Sequence, residues 1–344
     1  MRRVEVAVVG AGIMGAATAC ALAAAGRDVL VIEQFQPGHG GGSSHGASRI
    51  FRYSYPEVSY VRMAMEAREL WRALESRSGQ RLLTETGGID RGPRIRENAI
   101  ALESCEIPCE LLEGADLNRR FEGLTLPPGE PALYQPGGSV VAAAVALSAF
   151  FDLARSDGAS VVSNRRVIRF EEGSRGVNLQ TDEEALLASV VVVTAGAWAG
   201  PLLAEAGIDL PLRPTRETVA YFALERPLPT LVEWGQPSTY ALASPGDGIK
   251  VGEHQAGATA DPNGETAIDN ASVERLCAWV AARFPGAAPR PHRTENCFYT
   301  NTPDEDFVLE RRGRIVIGSP CSGHGFKFAP LIGQRLGALA GEIL

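Results

Sequence analysis

The 344-residue sequence lacks the features that mark several common classes of protein. No apolar run reaches the roughly 20 residues that a helix needs to cross a bilayer. The first apolar stretch, residues 4–9, ends at a glycine turn too early to be a signal peptide. The basic residues form no stripe and the formal net charge is −8, which argues against binding to nucleic acid. We therefore expect a cytoplasmic protein that binds neither nucleic acid nor a membrane.

The sequence is also poor in cysteine, and the spacing of its cysteines fits no metal site. The six residues are Cys20, Cys105, Cys109, Cys277, Cys297 and Cys321. Only Cys105 and Cys109 lie close together, and no second pair or neighbouring histidine completes a set of ligands. No metal is therefore expected, and scattered cysteines suit a reducing compartment.

What the sequence does contain is a dinucleotide-binding fingerprint at its start. The apolar residues 4–9 are followed at once by G-A-G-I-M-G at 10–15 and then by small, helix-favouring residues at 16–25. A second apolar segment, 29–32, ends at Glu33. This order of strand, glycine turn, helix, strand and acid is typical of a βαβ unit that binds an adenine dinucleotide.

Each residue of this fingerprint has a physical role. Gly10 permits the tight turn, Gly12 lets a pyrophosphate approach the backbone, and Gly15 lets the helix pack closely on the strand. The helix N-terminus offers free N–H groups to the phosphates. Glu33 can accept hydrogen bonds from a ribose and would repel a 2′-phosphate, which argues against NADP. The motif alone leaves NAD and FAD open.

The length suggests two domains, and the patterns along the chain predict that they are interleaved. Nucleotide-fold segments occur at both ends, whereas the middle is rich in alternating strands. We predict an α/β plus α+β protein with a Rossmann-like domain formed by residues 1–82, 137–212 and 292–344. A mixed β-sheet substrate domain formed by residues 83–136 and 213–291 is inserted into it.

Five stretches in order carry a more specific signal. They are G-A-G-I-M-G at 10–15, S-S-H-G-A-S-R-I-F-R at 43–52, K-V-G-E-H at 250–254, C-F-Y-T at 297–300 and S-G-H-G-F-K-F at 322–328. Together they resemble the monomeric sarcosine oxidase and N-methyltryptophan oxidase family, within the D-amino-acid-oxidase-like flavoproteins. The resemblance runs from the first residues nearly to the last, and it implies the glutathione-reductase-like class of FAD-binding fold.

The resemblance implies that the cofactor is FAD and that Cys297 forms a thioether to the flavin. A thiolate is needed for that bond, and a nearby cation lowers the pKa of a thiol. The residues expected to bind the cofactor are Gly10, Gly12, Ile13, Met14, Gly15, Glu33, Ser43, Ser44, Arg49, Cys297, Gly323, Gly325, Phe326 and Lys327.

The same resemblance implies where substrate and oxygen react. Arg52 and Lys327 match the residues that grip the substrate carboxylate, and a guanidinium suits bidentate pairing with a carboxylate. Lys250 matches a lysine that activates O₂, since a fixed cation stabilises superoxide. The residues expected to be catalytic are Lys250, His254, His45 and Arg49. Those expected to bind substrate are Arg52, Lys327, Tyr240 and Tyr299.

Four positions depart from the family pattern. Ser44 stands where a second histidine is usual, Ala47 replaces an acid, Glu253 replaces a tyrosine, and Cys321 replaces a phenylalanine. These changes spare the residues expected to hold the cofactor and are expected to alter the rim of the pocket. The identity of the substrate therefore stays open.

We expect an FAD-dependent amine oxidase that converts a secondary or N-methyl amino acid to an imine and reduces O₂ to hydrogen peroxide. A monomer is expected because relatives are often monomers. One alternative is a dehydrogenase that passes electrons to another acceptor, against which Lys250 argues. Another is a reductase or hydroxylase fed by NAD(P)H, although the sequence shows no second glycine fingerprint. A flavin-binding module without catalysis is a third.

Overall fold

The computed structural model describes residues 2–226, 228–265 and 267–344. The strands in these ranges are β1 (Arg2–Val9), β2 (Val29–Ile32), β3 (Ser48–Phe51), β4 (Leu83–Glu85), β5 (Gly88–Arg91), β6 (Glu110–Glu113), β7 (Pro131–Gln135), β8 (Ser139–Ala142), β9 (Ser160–Val162), β10 (Val167–Gly173), β11 (Gly176–Thr181), β12 (Ala185–Val193), β13 (Arg213–Phe222), β14 (Thr230–Glu233), β15 (Ser238–Ser244), β16 (Gly248–His254), β17 (Arg293–Asn301), β18 (Val308–Arg312) and β19 (Ile315–Ser319). The α-helices are α1 (Ile13–Ala24), α2 (Val58–Ser78), α3 (Ile95–Ser104), α4 (Gly114–Arg120), α5 (Ala143–Ser156), α6 (Ala199–Ala204), α7 (Asn270–Arg283) and α8 (Ala329–Gly341). Short 3₁₀ turns occur at Gly196–Trp198 and Phe326–Phe328.

The first sheet is built around the fingerprint. β1 lies between β2 and β12 and is parallel to both, and β9 continues the parallel order beyond β2. On its other edge β12 pairs antiparallel with β11 through its first half and parallel with β19 through its second half. The residues of β2 are all buried and apolar, as expected of a parallel strand covered on both faces. Helices α5 and α8 pack against α1 on one side.

The second sheet has the order β17-β13-β16-β15-β14-β5-β7-β6. Its strands are antiparallel except for β14 and β5. β17 pairs with β13 along its whole length, so the expected domain boundary at residue 292 would divide this sheet. Hydrogen bonding supports assigning β17 to the substrate side, and the division into two domains otherwise stays a prediction.

A small third sheet, β3-β8-β4, positions the segment that carries the predicted site residues 43–52. β3 contacts β15 of the second sheet and the turn Phe326–Phe328 before α8. It therefore lies where the two large sheets meet. The predicted class, a Rossmann-like α/β fold with a second mixed sheet, is confirmed. None of the helices in the described ranges is long and apolar enough to span a bilayer.

Candidate cofactor and substrate site

The glycine loop between β1 and α1 has the geometry that its sequence predicts. Gly10 has a φ of +100°, a region that side chains rarely adopt. A Cβ added at Gly15 would lie 1.9 Å from the carbonyl oxygen of Gly10. The first turn of α1 can therefore approach the loop this closely only because position 15 has no side chain.

The side chains of Glu33 and Ser44 form hydrogen bonds with backbone groups in and around the glycine loop. The carboxylate of Glu33 accepts hydrogen bonds from the backbone N–H groups of Ala11, at 2.7 Å, and Phe35, at 2.9 Å. Ser44 Oγ accepts from the N–H of Ile13 at 2.9 Å, at the first residue of α1. The segment 43–52 is thus attached directly to the fingerprint, although it follows it by some 30 residues in sequence.

One cavity of about 1290 Å³ connects the glycine loop to the second sheet. Its volume exceeds the roughly 300–1,000 Å³ of pockets that hold drug-sized ligands, so it accommodates an extended molecule. The predicted site residues that line it are Gly10, Gly12, Ile13, Met14, Glu33, Ser43, Ser44, Arg49, Arg52, Tyr240, Lys250, His254, Cys297, Tyr299, Gly323, Gly325, Phe326 and Lys327. Gly15 lies behind the loop, and His45 lies outside the lining.

Arg49 is fixed in the middle of this cavity. Its guanidinium donates to the carbonyl oxygens of Ser48 at 2.8 Å, Ser43 at 2.8 Å and His45 at 2.6 Å, and it lies over the ring of Phe326. The ring of His45 bonds to Gly42 at 3.1 Å, and burial together with Arg49 and Lys250 lowers its pKa to about 4. In this structure His45 supports Arg49 through its carbonyl, and the expected catalytic role of its ring stays a prediction.

Cys297 and Lys250 approach the cavity from β17 and β16, on either side of β13. Both are buried, with 8% and 4% of their surface exposed. Burial raises the pKa of the Cys297 thiol, while Lys250 and Arg49 act in the opposite direction. The expected cations are therefore present, but burial outweighs them. Burial and the charge of Arg49 lower the pKa of Lys250 to about 7.

The positive charges of this protein are divided between two residue types in an unusual way. Lys250 and Lys327 are the only lysines in the sequence, which contains 31 arginines. Both lysines are more than nine-tenths buried and both line the cavity. Lysine is almost never fully buried without a partner, yet no carboxylate lies within 4 Å of either ammonium among the described residues. The scarcity of lysine is a signal in the sequence that points to both residues without any alignment.

Arg52 and Lys327 converge at the other end of the cavity. Lys327 Nζ donates to the hydroxyl of Tyr55 at 2.9 Å and to the carbonyl of His324 at 2.8 Å. Burial and the charge of Arg52 hold its pKa well below the usual range. The guanidinium of Arg52 lies 4.4 Å from the ring centroid of Tyr55 and donates no hydrogen bond within the described residues. Two buried cations side by side make this end of the cavity suited to an anion.

His254 and the two predicted tyrosines form the wall beside these cations. The ring of His254 lies 5.6 Å from that of Tyr299, and burial together with Arg52 and Lys327 lowers its pKa to about 4. It is therefore neutral near pH 7. Burial raises the pKa of Tyr240 and Tyr299, so both hydroxyls remain protonated. The wall is aromatic and uncharged.

Four further residues contact the predicted ones and were not expected from the sequence. The ring of Tyr55 lies against both Arg52 and Lys327, the ring of Trp234 lies against Arg52, and Asp90 lies 3.8 Å from Arg52 Nη1. Asp90 is buried and accepts from Trp234 Nε1 at 3.2 Å. His324 Nδ1 bonds to the hydroxyl of Tyr55 at 3.2 Å. The only sequence signal for Tyr55 is the alternation of aromatic residues in R-Y-S-Y at 52–55.

Two of the four departures from the family pattern do not reach the cavity, which corrects the expectation that they alter its rim. Glu253 points toward α7, where Arg275 donates two hydrogen bonds of 2.6 Å to its carboxylate. Ala47 is absent from the lining. Ser44 and Cys321 do line the cavity, and Cys321 Sγ accepts from the N–H of Thr300 at 3.2 Å.

The residues present fit a dinucleotide with a redox-active ring. The glycine loop, the start of α1 and Glu33 suit its phosphates and ribose, while the buried cations and aromatic rings lie at the far end. Fold and cavity together define a dinucleotide-dependent oxidoreductase. The family model described as "FAD dependent oxidoreductase" matches residues 5–339. The chain belongs to this family, and FAD is its cofactor.

Individual proteins to which the chain is similar are consistent with this family. The chain is 33% identical to monomeric sarcosine oxidase from Arthrobacter sp. (strain TE1826), over 98% of this chain and 92% of that protein. It is 34% identical to peroxisomal sarcosine oxidase from Homo sapiens, over 96% and 90% of the two chains. The solved structure of NikD, an unusual amino acid oxidase essential for nikkomycin biosynthesis, superposes with a TM-score of 0.91 at 28% identity. That superposition covers 99% of this chain and 95% of NikD. The expected family resemblance is confirmed.

Proposed function

We propose that this protein oxidises a secondary or N-methyl amino acid to an imine and reduces O₂ to hydrogen peroxide. The observation that carries the proposal is the placement of the two lysines. One lies beside Arg52 at the cationic end of the cavity, and the other, on the second sheet, has no carboxylate within 4 Å in the part of the chain that the structure describes. The first lysine would bind the carboxylate of an amino-acid substrate, and the second would assist the reduction of O₂.

FAD would be held at its phosphate end by residues 10–15 and Glu33. When bound, FAD accepts two electrons with a hydride from the α or N-methyl carbon of the amine and returns them to O₂. Arg49 and the turn Phe326–Phe328 would support the central part of the cofactor. Cys297 lines the same region of the cavity, which supports a covalent link through its sulfur.

The substrate carboxylate would be bound by Arg52 and Lys327. Charge-assisted hydrogen bonds in a buried site are strong and directional, and Arg52 has donors to spare because its guanidinium makes no hydrogen bond within the described residues. Asp90 partly balances these two cations, so little net charge remains once the carboxylate is bound. The amine can lose a hydride only in its neutral form, and burial of the amine favours that form. His254 is neutral and adds no charge beside it.

Lys250 would act on O₂. A buried ammonium without a neighbouring carboxylate is an electrostatic site for an anion that forms during the reaction. Superoxide is such an anion. Because the pKa of Lys250 is about 7, the residue can also release and recover a proton near neutral pH.

The test is an anaerobic screen of amines for bleaching of the flavin, followed by a peroxide assay in air. Sarcosine, larger N-methyl amino acids and cyclic secondary amino acids are the first candidates, and their esters serve as controls without a carboxylate. Bleaching by the acids, weak bleaching by the esters and one peroxide per amine are expected. Bleaching by NADH without amine, or rapid dye reduction with negligible peroxide, would contradict the proposal.

We also propose that the protein acts in the cytoplasm as a monomer. All six cysteines are free, which suits a reducing compartment. The Arthrobacter relative is named a monomeric enzyme. Sedimentation of the holoenzyme as a species of about twice 36.5 kDa would contradict the monomer.

A further inference from the structure

A row of three side chains crosses the second sheet behind the cavity. In the register of the antiparallel strands, Tyr221 on β13 stands directly opposite Lys250 on β16 and directly opposite Arg293 on β17. Residues that are directly opposite in neighbouring strands share one face of the sheet. The row therefore leads from the cavity, which Lys250 lines, to Arg293, whose side chain is 36% exposed.

Tyr221 is the buried centre of this row. It has no exposed surface, and its hydroxyl donates to Glu295 Oε2 at 2.9 Å. The guanidinium carbon of Arg293 lies 3.7 Å from its ring centroid, and Lys250 Nζ lies 6.0 Å from the same point. A buried hydroxyl that bonds to a carboxylate on one side and faces an ammonium on the other has both partners needed to pass on a proton.

The outer end of the row reaches solvent. The side chain of Glu295 is 25% exposed and forms an ion pair with Arg293. Arg293 also donates to Asp247 at 2.6 Å, and Asp247 lies 3.5 Å from His292. Arg293 is thus held between two carboxylates, with its face on the ring of Tyr221. Arg293 is a positioning residue that fixes both Glu295 and Tyr221.

At the inner end of the row, Lys250 and the hydroxyl of Tyr221 both lie close to Gly46. The position that a Cβ on Gly46 would take is 3.4 Å from the hydroxyl of Tyr221 and 3.7 Å from Lys250 Nζ. Arg49 Nη1 lies 3.4 Å from the same point. Three polar atoms therefore surround the backbone of Gly46, and no direct hydrogen bond joins the Tyr221 hydroxyl to Lys250 among the described residues. One water between the two groups would connect them nearly as well as direct contact does.

We propose that Glu295 and Tyr221 relay protons from solvent to Lys250 along one face of the second sheet. This inference rests on the proposed reduction of O₂, which consumes two electrons and two protons for each peroxide formed. Lys250 gives a proton to the reduced oxygen and becomes a neutral amine. Solvent then delivers a proton to Glu295, Glu295 passes it to Tyr221 as Tyr221 passes its own proton through a bridging water to Lys250, and Glu295 returns to the carboxylate that pairs with Arg293. Several charged or titratable groups face Lys250 from the elements packed around it: His45, Arg49, Tyr221, Arg293 and Cys297.

The relay differs from proton entry through the cavity, which Lys250 also lines. Access through the cavity does not depend on the hydroxyl of Tyr221, because Tyr221 does not line it. Removal of that hydroxyl therefore separates the two routes. The chain offers an exceptional probe, since only two lysines are present and ¹⁵N-lysine labelling of the holoenzyme gives two side-chain signals.

The decisive experiment measures the exchange of the Lys250 Nζ protons with water in wild type, Tyr221→Phe and Glu295→Gln. We expect exchange at Lys250 to slow at least about tenfold in both variants, in line with the loss of a general acid–base group, while Lys327 is unchanged. Tyr134→Phe is the matched control, because Tyr134 is buried under the guanidinium of Arg120 at 4.3 Å and is outside the cavity lining. Unchanged exchange at Lys250 in Tyr221→Phe would overturn the relay.

A second measurement separates this inference from the proposed function. In Tyr221→Phe we expect anaerobic bleaching by the amine at the wild-type rate and a slower return of flavin colour on mixing with O₂, with a larger solvent isotope effect. Equal rates of colour return in wild type and Tyr221→Phe would contradict the relay. Failure of the wild type itself to react with O₂ would refute the oxidase function, whereas the exchange experiment would still decide the route of the proton.

Discussion

The two lysines of this protein are equally buried but lie in opposite surroundings. Lys327 donates hydrogen bonds to Tyr55 and to the carbonyl of His324, and it is beside Arg52, whose charge Asp90 partly balances. Lys250 has no carboxylate within 4 Å among the described residues and faces Arg49 and, across Tyr221, Arg293. Lys327 is thus fixed by its hydrogen bonds, whereas Lys250 can change its charge near neutral pH.

This difference shows how one buried residue type can serve two purposes. A cation fixed by hydrogen bonds and paired with a guanidinium provides geometry, which suits the recognition of a carboxylate. A cation whose pKa lies near neutrality provides a change of charge, which suits proton transfer.

Arg52→Met should raise the KM for amino-acid substrates about a hundredfold, because truncation of one partner of a buried charge pair costs about 2–5 kcal/mol. The methyl esters of the same substrates should be affected much less. Steady-state kinetics with both sets of substrates measures the effect. An unchanged KM for the acids would mean that the carboxylate is bound elsewhere.

The reaction with O₂ should depend on the charge of Lys250. Its ammonium form prevails below a pH of about 7 and is lost as the pH rises through that value. The rate of flavin reoxidation after anaerobic reduction should therefore fall about tenfold per pH unit above the pKa. A bound anion can only move this midpoint upward. A rate that is constant from pH 6 to 10 would remove Lys250 from the oxygen reaction.

Burial of Lys250 should also lower the free energy of unfolding, by an amount that depends on pH. Its pKa falls from the ordinary value of 10.5 to about 7 on folding, which corresponds to about 5 kcal/mol. Because the unfolded chain still binds this proton between those values, the cost is full below pH 7 and disappears toward pH 10.5. Denaturant unfolding of Lys250→Met should show a gain over wild type that shrinks as the pH rises.

Lys327→Met is the control for that measurement. Burial and Arg52 also hold the pKa of Lys327 below its usual range, so removal of the charge should stabilise this variant too at low pH. The loss of two hydrogen bonds offsets part of that gain at every pH, so Lys327→Met should be less stable than wild type at pH 10.5, whereas Lys250→Met should not. Equal behaviour of the two variants at pH 10.5 would contradict the contrast between the two sites.

The smallest expected effect concerns Cys297. Cys297→Ala should fold and bind FAD, but acid precipitation should release the flavin from this variant and not from wild type. Cys321→Ala is the matched control, since Cys321 is also in the cavity lining. Release of the colour from acid-precipitated wild type would refute the covalent link.

The glycine loop was predictable because its requirements are local. Gly10 is dictated by a positive φ, and Gly15 by the carbonyl oxygen of Gly10, which would lie 1.9 Å from a Cβ at position 15. Their meaning can be read from residues that are neighbours in sequence. The parallel order of β2, β1 and β12 follows from the same short-range pattern together with long apolar runs.

The cationic end of the cavity could not be derived in this way. Cys297 and Lys250 lie on strands separated by β13, and Arg52 directly follows β3 of the third sheet. In the sequence, only the resemblance to a family indicated that these residues belong to one site. Asp90 and Trp234 were not expected at all, because nothing in the sequence near them indicates that they meet Arg52. Glu253 was expected at the rim, and its partner Arg275 on α7 shows why it is not there.

Stopped-flow measurement of both half-reactions in Lys250→Met and Lys327→Met separates the roles of the two lysines. We predict that Lys250→Met bleaches with amine as fast as wild type but reacts with O₂ about a hundredfold or more slowly, the loss that removal of a preorganised charge produces. Lys327→Met should bleach slowly at low substrate and react with O₂ normally. The same half-reaction impaired in both variants would contradict the division of labour between the two lysines.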